Sequence, residues 1–489
     1  MDFMDFRHLS DGIHLHHGHH GHVAPAPSSA DSFPHSAIDT GHNSAGNGGD
    51  GYFFGSLVNA PVVIYMPINI AIAGYNSTAD AEQTNTVQID QSATQIAGVG
   101  GDGGNGNASI GGNVSASGFG GSGSGSSVSS GNNEAGNGGD GVFHGSMVNA
   151  SFILYRPINI AVAGPNSSAH AEQTNNVDID QSAVQMAGIG GNGGDGNAAI
   201  GGDVTSSSGS GSGTIDTGNN SAGNGGDGHF SGSLVNAPIV IYMPINIAIA
   251  GYNSTADAHQ TNDASFDQSV IQMAGIGGDG GSGNASIGGS VTASGFGDAY
   301  SHGWLNSGGI SSGGNQAGNG GGGFFHGSIG NASHVLYEPI NIAVAGPGSS
   351  AHAEQINDVT IDQSAIQMAG IGGNGGNGNA AIGGNINMLL SGFGFGSDAI
   401  DTGHNGAGNG GSGHFSGDLI NTSMAIYKAV NIAIAAYNST ADAHQSNTVH
   451  LDQSAFQMAG IGGDGGHGNF ALGGDVTAHL LADHHLLLG

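Results

Sequence analysis

Cysteine is absent from the 489 residues, which excludes disulfides and thiolate metal sites. Basic side chains are nearly absent: Lys and Arg total 3, at Arg7, Arg156 and Lys428. Nucleic-acid binding needs Lys and Arg to neutralise phosphates, so it is excluded. Docking on an anionic membrane through a basic patch fails for the same reason. A Walker-type phosphate loop is also excluded, because the one lysine stands in Ala-Ile-Tyr-Lys-Ala-Val. Charged residues make up 8%, against a usual share of about 25%. No run of 18 apolar residues occurs, and the best stretch, Ala60 to Ala73, is broken by Pro67 and Asn69. A transmembrane helix is therefore not expected. The first nine residues carry acids and no continuous apolar core, so a cleaved secretory signal is not expected either.

What is abundant is glycine, with 99 residues, and negative charge, with 36 Asp and Glu and a net −33. Glycine does not recur strictly every third residue, which removes collagen. Hydrophobic residues reach 37%, many of them Ile, Val and Ala in regular alternation, which a disordered acidic chain lacks.

The chain repeats itself. Ala-Gly-Asn-Gly-Gly starts at Ala45, Ala135, Ala222, Ala317 and Ala407. The expected organisation is a His-rich leader over 1–37, then repeats over 38–130, 131–214, 215–312, 313–399 and 400–489, the last with an apolar tail. The repeats alternate in A-B-A-B-A order. Tyr-Asn-Ser-Thr-Ala-Asp-Ala starts at Tyr75, Tyr252 and Tyr437, whereas the second and fourth repeats carry Ser-Ser-Ala-His-Ala after Pro165 and Pro347. Period-two patterns such as Ile68-Asn-Ile-Ala-Ile-Ala73 predict strands, and glycine disfavours helix. The fold class is all-β. A single repeat has too few large side chains to fold alone, so stacking of repeats into a β-solenoid-like array is expected, with a row of small β-sandwiches as the alternative.

Five features carry chemistry. The tracts Gly100-Gly-Asp-Gly-Gly-Asn-Gly-Asn107 and Gly190-Gly-Asn-Gly-Gly-Asp-Gly-Asn197 resemble the calcium-binding nonapeptide of RTX proteins. The resemblance implies calcium on Asp50, Asp102, Asp140, Asp195, Asp227, Asp279 and Asp464; turn formation is the alternative role. Second, Gln83, Asn85, Gln91 and Gln95 recur from repeat to repeat, with Gln88 among them in the first, and Val87-x-Ile89-x-Gln91 resembles part of the curlin repeat. Stacked amides form ladders along a β-stack, so Gln91, Gln181, Gln268, Gln363 and Gln453 are candidate self-association residues; a solvated face is the alternative. Third, residues two apart on one strand face pair as Asp80/Glu82, His170/Glu172, Asp257/His259, His352/Glu354 and Asp442/His444. Each pair is a partial transition-metal site or a polar surface.

Fourth, the rare charges Arg156, Glu338 and Lys428 occupy one equivalent position, with Met66 and Met243 in the other repeats. An Arg156–Glu338 pair, between molecules or stacked units, is expected to set register. Fifth, His14, His16, His17, His19, His20 and His22 crowd the leader and suit a transition metal. Protonating all 25 His would offset most of the net charge, so mild acid is expected to promote association.

No unique Ser/His/Asp constellation stands out against five near-copies, so no enzyme is expected. The reading is a structural protein of a bacterial surface or matrix that self-associates into filaments, with itself as partner and calcium as the possible cofactor. The chain resembles glycine-rich secreted surface proteins of bacteria, which implies an extracellular location by a type I-like route. The alternatives are a monomeric calcium-binding adhesin and a histidine-rich metal-sequestering protein.

Overall fold

The computed structural model describes residues 37–117, 127–207, 214–296, 310–391 and 400–481. These are five coils of one β-solenoid. The first coil contains β1 (Ala37–Asp39), β2 (Asn43–Ala45), β3 (Gly51–Asn59), β4 (Val62–Tyr65), β5 (Ile68–Ala73), β6 (Thr78–Asp90), β7 (Ala93–Val99), β8 (Ala108–Ile110) and β9 (Val114–Ser117). Each strand pairs in parallel with its equivalent in the next coil, giving nine sheets of five strands, each named below by its first-coil strand. The register follows the sequence repeat: Thr78 pairs with Ser168, which pairs with Thr255, Ser350 and Thr440 in turn. The stack is continuous, not a row of sandwiches.

Each coil runs out along β1–β5 and returns along β6–β9, so the coil is flattened into two walls. The reversal lies between β5 and β6. It places Asn76, Asn166, Asn253 and Asn438 at φ of 51–55°, and Gly348 takes the same place at 67°. Asn and Gly are the residues that tolerate this left-handed conformation. Next to the reversal the walls touch through alanine alone, with Ala71 and Ala73 of β5 against Ala79 and Ala81 of β6. Larger side chains follow where the walls separate. Tyr65, Tyr155, Tyr242, Tyr337 and Tyr427 stack at 5.3–5.5 Å beside the Val87–Ile89 columns. Phe53, Phe143, Phe230, Phe325 and Phe415 stack at 5.0–5.3 Å against the Ala97 column.

Alternation sets the two faces of each wall. On β5 the Asn69, Ala71 and Ala73 side chains are buried, while Ile68, Ile70 and Ile72 are exposed. On β6 the exposed set is Thr78, Asp80, Glu82, Thr84, Thr86, Gln88 and Asp90. The slab is therefore aliphatic outside β5 and acidic outside β6.

Where the glycine tracts face each other, side chains give way to backbone. The Gly101 N–H donates across the walls to Gly49 O at 2.7 Å, and Gly139 of the next coil donates back to Gly101 O at 2.9 Å. The zigzag continues through Gly191, Gly226, Gly278, Gly321, Gly373 and Gly411 to Gly463. Meanwhile Gly100 and Gly103 donate along the stack to Ile189 O and Asn192 O. Asp102, between them, accepts the Asn192 N–H on its side chain. Three successive residues thus serve three directions, as a three-residue-per-turn extended helix requires. The glycines are a zipper between walls, and the polar third residue points outward.

Candidate functional site

The β6 strands carry the densest set of ionisable groups. Their outward positions build two neighbouring columns: Asp80, His170, Asp257, His352, Asp442 and Glu82, Glu172, His259, Glu354, His444. The five pairs expected from the sequence are thus brought onto one surface. Histidine and carboxylate interlock: His259 lies 3.0 Å from Asp257 and 2.9 Å from Glu354, and His444 lies 3.0 Å from Asp442. His170 lies 3.5 Å from Asp257 and 3.9 Å from Glu172, and His352 lies 3.6 Å from Asp442. The imidazoles of His170, His259, His352 and His444 follow one another at 5.4–5.9 Å. All are about a third exposed except His444, in the terminal coil, which is more open. Among the described residues, the groups of three or more able to reach one ion are His170–Asp257–His259 and His259–His352–Glu354.

The aspartates of the glycine tracts stand elsewhere: Asp50, Asp140 and Asp227 follow one another in one column, while Asp102, Asp279 and Asp464 are separated by asparagines and Asp195 stands between Asn105 and Ser282. Asp50 accepts the Asp140 N–H at 2.9 Å and the Tyr52 hydroxyl at 3.1 Å. Asp140 accepts from Asp227, and Asp227 from Gly322. Asp195 accepts from Ser282, Asp279 from Asn374, and Asp464 donates its N–H to Asn374. These side chains tie each coil to the next through backbone N–H groups. Asp102 and Asn105 are three residues apart, as are Asn47 and Asp50; that period was the overlooked signal for the zipper geometry.

The amide columns are interior. Gln181 donates to Gln91, Gln268 to Gln181, Gln363 to Gln268 and Gln453 to Gln363, at 2.7–3.0 Å. The columns of Gln83 and Gln95 behave alike. Asparagine columns run the opposite way: Asn69 donates to Asn159, Asn159 to Asn246, Asn246 to Asn341 and Asn341 to Asn431. Gln88 is the exception, lying on the exposed face.

The expected pairing of Arg156 with Glu338 does not form within the chain. Met243 of the third coil stands between their positions, and Glu338 instead meets Lys428 of the neighbouring coil at 3.5 Å. In-register stacking brings only adjacent coils within reach. The leader histidines lie outside the described residues.

Burial pushes the hydroxyls of Tyr155, Tyr242 and Tyr337 well above the usual phenol range. The Tyr155 hydroxyl donates to Asn175 at 3.1 Å, whereas that of Tyr242 is buried without a partner.

Comparison with known proteins finds no matching family model, no matching curated protein and no matching solved structure. Among the described residues no helix is long and apolar enough to cross a membrane.

Proposed function

We propose that the chain is a non-enzymatic structural protein that stacks head to tail on copies of itself, the first coil of one against the fifth coil of the next. One observation carries this reading. Among the described residues, the Gln91 Nε2 of the first coil is buried without a hydrogen-bond partner. In every coil above, the same amide donates to the coil below. Among the described residues no coil donates to the Oε1 of the fifth coil's Gln453, and a second copy would bring that oxygen beneath Gln91. The asparagine columns supply the reverse fit, from Asn431 to the partner's Asn69. An interface that joins two different ends does not close on itself, so it propagates as a filament. An extracellular or cell-surface matrix suits such a polymer, and the resemblance to secreted glycine-rich surface proteins supports that setting.

Five coils at about 4.8 Å per strand give a subunit rise of about 24 Å. Negative-stain microscopy at neutral pH is expected to show uniform filaments, and fibre diffraction a reflection near 4.8 Å along the axis. A population that stays as single plates at every concentration refutes the proposal.

A further inference from the structure

The outward face of β6 holds an arrangement that a polar surface does not require. Among the described residues, Asp257 Oδ1 is shielded from solvent and accepts no hydrogen bond. Yet it lies 3.0 Å from His259 Nε2. With Nε2 unprotonated, two lone-pair atoms face each other at this distance and are placed to share a cation. Zinc bonds of about 2.0–2.2 Å to N and O in tetrahedral geometry put neighbouring ligand atoms roughly 3.3–3.5 Å apart. His170 of the coil below lies 3.5 Å from the other oxygen of Asp257 and completes a set of three ligand atoms within 4.8 Å of one another. On the far side of the His259 ring, Glu354 Oε2 approaches Nδ1 at 2.9 Å. A carboxylate at that distance can hold the ring proton on Nδ1, the tautomer in which Nε2 is available to a metal, as is common for zinc-bound histidines.

We propose that Asp257, His259 and His170 bind a first-row transition dication of the Zn²⁺ class, with Glu354 as the positioning residue. Three protein ligands on a partly exposed surface leave the fourth position to water. Asp80, Glu82, Glu172, His352, Asp442 and His444 share the face; the carboxylates among them draw cations towards it. Imidazole must be unprotonated to bind, so acid competes with the metal. The site is independent of assembly, because all its ligands belong to one chain.

Zinc is the probe. The test uses the full chain with the six leader histidines His14 to His22 replaced by Ser, so that the leader does not mask the site. Equilibrium dialysis at pH 7.5 is expected to find one zinc per chain. H259A lowers the affinity at least tenfold, D257N does likewise, and E354Q weakens binding about tenfold through the outer shell. Uptake falls on moving to pH 5.5. Circular dichroism of the metal-free variants checks the fold, and these outward positions tolerate substitution. No zinc uptake in the leader-silenced chain overturns the proposal. So does uptake that H259A and D257N leave unchanged, or equal binding of Ca²⁺ that is indifferent to His259. Retained affinity in E354Q overturns the outer-shell role.

Discussion

Gly226→Ala and Gly330→Ala are the same chemical change, and the structure assigns them opposite signs. Gly226 is buried in the zipper: its N–H donates to Gly191 O at 2.8 Å and its carbonyl accepts from Gly278 at 2.9 Å. A Cβ there falls inside 3.0 Å of the Gly139 carbonyl oxygen and carbon, which are backbone and cannot rotate away. Relief parts the coils by on the order of 1 Å, because such contacts are optimal near 3.5 Å. Overpacking costs about 1–3 kcal/mol, and weakening the two hydrogen bonds costs about 1 kcal/mol each. The total is about 3–5 kcal/mol. Gly330 lies in the β3 sheet, where its neighbours in register are Val235 and Ile420, and a Cβ there meets nothing within 4 Å. G330A therefore loses no contact and gains about 0.4–1 kcal/mol by restricting the unfolded chain. Guanidinium unfolding followed by circular dichroism reads both. If G226A falls within about 0.5 kcal/mol of G330A, the tracts are ordinary turns and the zipper reading is wrong.

The tyrosine column makes the fold sensitive to alkali. Burial raises the folded-state pKa of Tyr155, Tyr242 and Tyr337 above the unfolded value of 10.0, so their contribution is complete below pH 10 and is lost as pH rises beyond it. The tyrosinate absorbance contributed by these buried hydroxyls is expected to rise together with loss of β-structure above pH 10; ionisation of all tyrosines with the fold intact would refute this. Y242F removes a buried hydroxyl that lacks a partner and is expected to be neutral or stabilising by about 1 kcal/mol, whereas Y155F loses its bond to Asn175 and costs about 1 kcal/mol. In thermal melts, equal effects from the two would count against the assigned bonding. For assembly, Q91A and Q453A are each expected to raise the critical concentration about tenfold, the equivalent of 1.4 kcal/mol, and the double variant no further. Additive effects in sedimentation assays would mean that the two residues do not meet.

Much of this fold was legible because the repeat is strict. The spacing from Ala45 to Ala407 fixes the register, and period-two alternation in Ile68–Ala73 separates the buried Asn69 from the exposed Ile70. The β6 pairs could be placed on one face for the same reason. The glycine tracts were not legible as a zipper, because a local reading of Gly-Gly-Asp sees a turn or a calcium ligand. The partner wall lies some fifty residues away: Gly49 meets Gly101 only after the chain has reversed. The Gln columns left burial undecided, since a glutamine on a strand does not reveal which wall faces it. Arg156 and Glu338 do not pair within the chain for a simpler reason: equivalent positions two coils apart do not touch.

In-register stacking also accounts for the scarcity of charge. Every side chain sits about 4.8 Å from its equivalent in the next coil. Like unit charges at that distance repel by about 0.9 kcal/mol in water. A charged position repeated in every coil therefore destabilises the stack unless something offsets it. The Asp80 column offsets it by alternating acid with histidine, and the Glu82 column does so from Glu172 onward. The column Asp90, Asp180, Asp267, Asp362, Asp452 does not alternate. There each carboxylate instead accepts the N–H of the serine two residues on, at 2.8–2.9 Å. The serine bonds hold the Asp90 carboxyl below its usual range. Asp267→Asn keeps an oxygen for Ser269 and removes two like-charge contacts, so it is expected to stabilise the metal-free protein by about 1–2 kcal/mol in low salt. The gain should vanish at 1 M salt, where the Debye length is about 3 Å. Asp257→Asn, in the alternating column, removes the acid between His170 and His259 and should give no such gain. Thermal melts of both variants at two salt concentrations decide the matter. If D267N and D257N shift the midpoint in the same direction and by the same amount at low salt, repulsion between stacked charges is not what has kept this chain at 8% charged residues.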